Sequence, residues 1–450
     1  MKRARIHYAR VDEFWRKEEK YTYLDEQQHR GQIAWLEIQP DAKHNWLTEG
    51  MRDEFETFIA TGTKEAKAGD GGTAETIFKT FGGGVKTNRD TWVYNFNPNT
   101  LEENIKRTAE AYNEQVFKWS RAPKKATGVD DFVLSDETKI AWSRDLKLDL
   151  ERGKTVEYSE HKVRRALYRP FTAQFLFFDR ILNEEVYVFP SIFPTEAAEK
   201  DNRVIWLKTG SDWPMFALAT NRIPDQLPQG GSRCFPRFTY DEDGANRREN
   251  ITDWALEQFR AHYADKSITK WDIFHYVYTV LHHPFYRERY AANLKRELPR
   301  IPFAPDFRGF SDIGKRLADI HVNYEQQPEC PLEKIETPGA PLDWRVERMK
   351  LSKDKHSLIY NDFLTLSGIP PDVFEYRLGN RSALEWIIDQ YQVSTDQRSG
   401  ITNDPNRADD PQYIVRLIGQ VITVSLETVE LVRSLDTLRV VPEQSNILEA

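Results

Sequence analysis

Cysteine is nearly missing from this sequence: Cys234 and Cys330 are the only two in 450 residues, and no Cys-x-x-Cys occurs. That excludes a disulfide framework and a cysteine-based zinc site, and it points to a reducing compartment. Long apolar runs are missing as well. Val421-Ile422-Thr423-Val424 is soon followed by Glu427 and Glu430, far short of the ~20 apolar residues that cross a bilayer. The start, Met1-Lys2-Arg3-Ala4-Arg5, runs into His7, Arg10, Asp12 and Glu13 rather than the apolar stretch of a signal peptide. The expectation is a cytoplasmic protein without a membrane span. There is no excess of positive charge either. The net charge of -8 excludes a histone-like binder but leaves room for a basic cleft on an acidic body.

What the sequence does have is aromatic and apolar mass: 12 Trp, 19 Tyr and 25 Phe, with hydrophobic residues at 39%. Disordered, collagen-like and coiled-coil readings fail on that composition. At roughly 150 residues per domain the length allows about three structural units. Ala4 to Arg10 alternates like a strand and starts without a preceding turn, as if the chain were entered in mid-domain. Thr91-Trp92-Val93-Tyr94-Asn95-Phe96 reads as a strand and residues 100–120 as a polar helix. Between about 160 and 240 short aromatic strands are expected, among them Phe175-Leu176-Phe177-Phe178, Val186-Tyr187-Val188-Phe189, Val204-Ile205-Trp206-Leu207 and Phe216-Ala217-Leu218-Ala219.

After Asp241-Glu242-Asp243-Gly244 the period becomes helical. Ile273, Val277, Val280 and Leu281 form one stripe, with Thr269 as N-cap and Pro284 as stop. Tyr286, Tyr290, Leu294 and Leu298 form a second stripe, and Phe310, Ile313, Leu317 and Ile320 a third. Prolines 328, 331, 338 and 341 mark a linker. Ser382-Ala383-Leu384-Glu385 spells a capping box, and Asp410-Pro411 opens a long apolar helix through about Leu435. The predicted fold class is mixed α/β (α+β): a β-rich block, then helical segments, then a helical C-terminal unit.

Several spellings of chemistry fail on inspection. Gly82-Gly83-Gly84 follows no good parallel strand and opens no apolar helix, so a flexible loop is expected there rather than a phosphate cradle. Pro40-Asp41 with Glu65-Ala66-Lys67 formally matches a metal-dependent nuclease, and Asp41, Glu65 and Lys67 define that alternative. Its Glu and Lys fall in a turn-like stretch, whereas such a site needs them on one strand face. His275, His282 and His283 lack a carboxylate or Cys at fitting spacing, so no metal site is expected.

What remains is basic and polar. Lys162, Arg164, Arg165 and Arg169 stand among aromatic and apolar anchors, a composition suited to phosphates. Asn221, Arg222, Gln229, Ser232, Arg233 and Arg237 lie in a loop-like segment rich in the side chains that pair with base edges. Lys270 is a further candidate contact. A solvated basic surface and an ordinary loop are the competing readings of these two segments.

Five strings resemble a known family as a set: Leu167-Tyr168-Arg169-Pro170-Phe171, Ile251-Thr252-Asp253-Trp254-Ala255-Leu256, Ile268 to Tyr278, Leu294 to Pro302, and Tyr376 to Trp386. They resemble the C-terminal specificity region of type ISP restriction-modification enzymes, over nearly the whole chain. That resemblance implies sequence-specific recognition of double-stranded DNA, partnered by an adenine-N6 methyltransferase domain of the same enzyme or of a companion subunit. It divides the chain into the end of a methyltransferase domain (1–20), a target recognition domain (21–330), a proline-rich linker (331–345) and a C-terminal helical subdomain (346–450). The sequence contains no Asn-Pro-Pro-Tyr turn and no Walker motif. The resemblance therefore implies no cofactor in this chain, with S-adenosylmethionine, ATP and Mg serving the parent enzyme. A protein-docking module that never touches bases is a further alternative.

Overall fold

A computed structural model of the chain describes residues 4–11, 15–41, 44, 46–68, 75–122, 128–210, 213–226, 228 and 230–441. Its organising element is a three-stranded antiparallel sheet in the order Arg233–Pro236, Val204–Lys208, Phe216–Thr220. Successive side chains of a strand point to opposite faces, and here each face meets its own core. Trp206, Phe216, Leu218 and Cys234 join one buried cluster. Ile205, Leu207, Ala217, Ala219 and Phe235 join the other. Burial on both faces explains why these strands read as continuous apolar runs rather than as an alternation.

The first core also takes in the helix Pro98–Arg121 through Leu101, Ile105 and Tyr112, and the C-terminal helix Tyr413–Ser434 through Leu417, Ile418 and Val421. Against it lies a second sheet, ordered Tyr94–Asn95, Thr172–Phe177, Val163–Arg169, Ile223–Pro224, with only the last pair parallel. The other core is built on the helices Asp253–His262, Lys270–His282 and Phe307–Val322, where Ile273, Val277 and Val280 pack with Phe310 and Leu317. The mixed α/β class stands, with a helical C-terminus.

Local signals that need only their neighbours come out as read. The Thr269 hydroxyl accepts from the Asp272 N–H at 3.2 Å and the Asp272 carboxylate accepts from the Thr269 N–H at 2.8 Å. Ser382 and Glu385 form the same reciprocal pair. Each box satisfies donors that a bare helix end leaves open.

Four local expectations change. Of Thr91–Phe96 only Tyr94–Asn95 is strand, because Asp90–Val93 closes a helical turn behind Arg89. The Arg89 side chain is buried, donating to the Ala141 carbonyl at 3.2 Å, to the Leu182 carbonyl and to Ser143, which fixes the chain there. Val186-Tyr187-Val188-Phe189 is not a strand: Tyr187 sits at φ 47° and Phe189–Ile192 turns helical. Gly82-Gly83-Gly84 is no flexible loop but a buried crossing, bridged to Cys234 at Gly82 and continued by Val85, whose N–H donates to the Pro224 carbonyl at 2.9 Å. A Cβ on Gly84 would collide with the Asp225 carbonyl, so close backbone approach demands glycine. The stripe from Tyr286 to Leu298 is split into Pro284–Arg289 and Ala291–Leu294, with Leu298 beyond both.

Residues 331–345 contain the strand Glu333–Glu336, which pairs with Leu364–Ser367 in a four-stranded antiparallel sheet completed by Ser357–Ile359 and Lys350–Leu351. At the other end, Ile6–Tyr8 pairs with Leu36–Ile38.

Candidate nucleic-acid interface

The basic segment singled out in the sequence folds as the hairpin Val163–Arg169/Thr172–Phe177, closed by Pro170 and Phe171. Phe171 occupies a left-handed backbone position, φ 56°, that glycine would normally fill. Its ring is fully buried and edge-on to Tyr324, with centroids 5.2 Å apart, and packs near His321 and Tyr376. Burying a Phe side chain is worth about 1.5–3 kcal/mol, against a backbone cost of roughly 1–2 kcal/mol. The Leu167–Phe171 string is thus a turn held by its last side chain.

Strand alternation then sorts the cations. Arg164 points inward and is ion-paired with Glu199, also donating to the Phe193 carbonyl at 3.3 Å. Burial pushes the Glu199 carboxyl up to about 7 against the pull of Arg164. Arg165 points the other way, half-exposed, with its guanidinium 5.0 Å from the Phe175 ring centre and 3.5 Å from Glu325. Lys162 reaches Asp179 at 2.8 Å. Arg169 lies on the Tyr168 ring at 3.8 Å and donates to Asp225 at 3.0 Å, so it ties the hairpin to the 221–237 segment.

In that segment the structure again separates inner from outer positions. Ser232 is fully buried, its hydroxyl donating to the Gln226 carbonyl at 3.0 Å. Arg237 is buried beside Glu249 and stacks between Phe238 and Trp271 at 4.4 and 4.9 Å. Arg233 is exposed at the start of its strand and donates to the Ser232 carbonyl at 2.9 Å. Asn221 is half-buried and has no side-chain partner among the described residues. Lys270 is half-buried and paired with Asp253 at 2.6 Å. Gln229 lies outside the described residues.

The residue that gathers this surface is one the sequence reading missed. Glu325 is ion-paired with Arg222, faces Arg165, and accepts from the Tyr413 hydroxyl at 2.7 Å. Burial alone would raise its pKa, but Arg222, Arg165 and the hydrogen bonds from Arg222 and Tyr413 outweigh that and hold it at about 2. Arg222 also donates to the Tyr324 hydroxyl at 3.1 Å, and Arg407 lies 3.2 Å from the Tyr413 ring centre. The result is a half-buried seam between the hairpin and the C-terminal helix, in which Glu325 orients Arg165 and Arg222 and the Tyr413 ring carries Arg407. No local pattern announces it, since Glu325 and Arg165 are 160 positions apart. Such a seam presents fixed, always-charged donors of the kind that match phosphates and base edges.

The nuclease alternative finds no such convergence. Glu65 and Lys67 are exposed on the single-turn helix Lys64–Ala68, two residues apart and so on different sides of it, and Lys67 lies over the Phe81 ring at 5.4 Å. Among the described residues no group of three or more His, Cys, Asp or Glu side chains could hold a metal ion. His282 and His283 bond to the Tyr278 and Leu438 carbonyls at 2.8 and 2.9 Å. No helix among the described residues is long and apolar enough to cross a membrane.

Comparison with known proteins places this arrangement. The profile of the Type ISP C-terminal specificity domain matches residues 76–417. Among solved structures, a nuclease-deletion mutant of the Type ISP restriction-modification enzyme LlaGI in complex with a DNA substrate mimic is 34% identical, with a TM-score of 0.83 over 97% of this chain and 40% of that one. A DrdV–DNA complex is 34% identical, with a TM-score of 0.84 over 95% of this chain and 43% of that one. The ATP-dependent Type ISP enzyme LlaBIII bound to DNA is 29% identical, with a TM-score of 0.78 over 90% of this chain and 26% of that one. The chain thus spans less than half the length of each of these proteins. No curated protein matches it. With a domain profile covering most of its length and a shared fold along nearly all of it, the chain belongs to the Type ISP C-terminal specificity domain family.

Proposed function

We propose that this chain is the target recognition domain of a restriction-modification enzyme and binds double-stranded DNA sequence-specifically. The observation that carries the reading is the pairing of Arg165 and Arg222 on Glu325, with Arg407 over the Tyr413 ring and Asn221 next in the chain to Arg222, in a fold shared with proteins solved as DNA complexes. Arg165, Arg233, Lys162 and Lys270 take phosphates, fixing register, while Asn221 and Arg222 read base edges in a groove. Arg164, Arg169, Ser232 and Arg237 hold the hairpin and the 221–237 segment in place from behind.

Methyl transfer, ATP hydrolysis and cleavage belong to modules beyond this chain. S-adenosylmethionine, ATP and Mg serve there, and the methyltransferase domain is the partner against which DNA is clamped.

The test is selection from a random duplex library across a salt series. An enriched motif is expected. Arg233→Ala should weaken all sequences alike and flatten the salt slope by about one unit, whereas Asn221→Ala should relax one position by roughly 1–3 kcal/mol. Equal binding to all duplexes without salt dependence would overturn the reading.

A further inference from the structure

Arg407 is half-buried, and its guanidinium makes no hydrogen bond and no ion pair among the described residues. What holds it is the Tyr413 ring, whose centre lies 3.2 Å away, a separation reached by face-on stacking. Tyr413 is buried at the start of the C-terminal helix and donates its hydroxyl to Glu325, the carboxylate that pairs with Arg165 and Arg222. Arg407 therefore joins the surface assigned above to DNA, although it comes from the 346–450 unit, to which no base contact has been given.

The loop that carries Arg407 is fixed from behind. The Asn406 amide accepts from the Val346 N–H and donates to the Val346 carbonyl, both at 2.8 Å. Asp404 accepts from the Asn406 N–H at 2.9 Å and is itself paired with Arg345 at 2.8 Å. An arginine side chain has many rotamers to lose when a ligand orders it. Here the ring and the loop have restricted them beforehand, and the donor edge of the guanidinium is left open.

Such a fork suits either a phosphate or a base edge, and the surroundings favour the base. Asp409 and Asp410 follow within three residues of Arg407; Asp410 is paired with Arg416, and Asp409 is exposed. A phosphate brought here would meet like charges, which is costly, whereas the acceptors of a base are neutral. In the major groove guanine is the base that offers two adjacent acceptors, N7 and O6, to a planar fork. We propose that Arg407, positioned by Tyr413, reads a guanine in the major groove at one position of the recognised sequence, so that the 346–450 unit is part of the reader. This inference rests on the DNA-recognition reading and names a specificity-determining residue within it.

Selection from a random duplex library with the native chain and with Arg407→Ala tests this, followed by binding to the selected duplex carrying 7-deazaguanine, which lacks the N7 acceptor, at each guanine in turn. Arg407→Ala should relax one guanine position by on the order of tenfold or more and keep the preferences elsewhere, which also reports an intact fold. At that same position 7-deazaguanine should weaken the native chain several-fold and leave Arg407→Ala unaffected, as expected of two groups in one contact. Equal weakening of all sequences with a flatter salt slope, or a 7-deazaguanine effect that persists without the guanidinium, would each overturn the proposal. An enriched motif that Arg407→Ala leaves intact overturns this inference alone, whereas the absence of any enriched motif with the native chain overturns the recognition reading and this inference with it.

Discussion

Replacing Glu325 by Gln removes the single negative charge that orients Arg165 and Arg222 while keeping its size and its capacity to accept from Tyr413. The carboxyl is held at about 2, against 4.5 without the surrounding protein. A shift of that size corresponds to about 3 kcal/mol at 1.36 kcal/mol per unit, in line with the roughly 3–5 kcal/mol lost when one partner of a buried pair is removed. The sign follows from proton linkage. A depressed folded-state pKa gives stability that is fully present above the unfolded value and lost as pH falls through the folded one. Native chain and variant should therefore differ by about 3 kcal/mol at pH 7 and by only about 1 kcal/mol at pH 3. Urea unfolding of both, followed by fluorescence at each pH, measures the gap directly. A gap below about 1 kcal/mol at pH 7, or one that stays constant down to pH 3, would refute the idea that Glu325 is a desolvated hub rather than a surface acid.

Other substitutions probe the rest of the framework. Gly84→Ala should cost roughly 1–3 kcal/mol by forcing the crossing away from the Asp225 carbonyl, read as a lowered unfolding midpoint; an unchanged midpoint would mean the crossing can shift freely. Phe171→Ala should cost about 3–5 kcal/mol and loosen the Arg169 turn, whereas Phe171→Gly should recover some of that loss by relieving the positive φ. Ser382→Ala should cost about 1 kcal/mol through loss of the cap, with a smaller effect for Ser382→Gly. Glu199→Gln should stabilise the chain at pH 8 relative to pH 5. Its carboxyl, raised by burial to about 7, must give up a proton in the folded state as pH climbs through that value, whereas the unfolded chain has already lost it. Chemical denaturation at the two pH values decides it.

Whatever depended on near neighbours was legible in the sequence. The caps at Thr269 and Ser382, the apolar stripe from Ile273 to Leu281 and the buried runs at Val204 and Phe216 all follow from propensity and periodicity over a few residues. The strings from Leu167 to Phe171 and from Tyr376 to Trp386 carried the family. Tertiary contacts decided the remainder. Glycines 82 to 84 became a buried crossing because strands more than a hundred residues downstream pack onto them. The run Val186–Phe189 lost its strand because Tyr187 turns the backbone at a positive φ and Phe189 opens a helical turn. Composition marked Lys162, Arg164, Arg165 and Arg169 as one basic cluster, but alternation on a strand and the position of Glu199 and Glu325 set which side chain faces water and which is enclosed. Charge along the chain is a local property, whereas desolvation and pairing depend on what the fold brings from far away. For that reason the sequence could name the kind of surface, and only the packed structure could say which arginines stand on it.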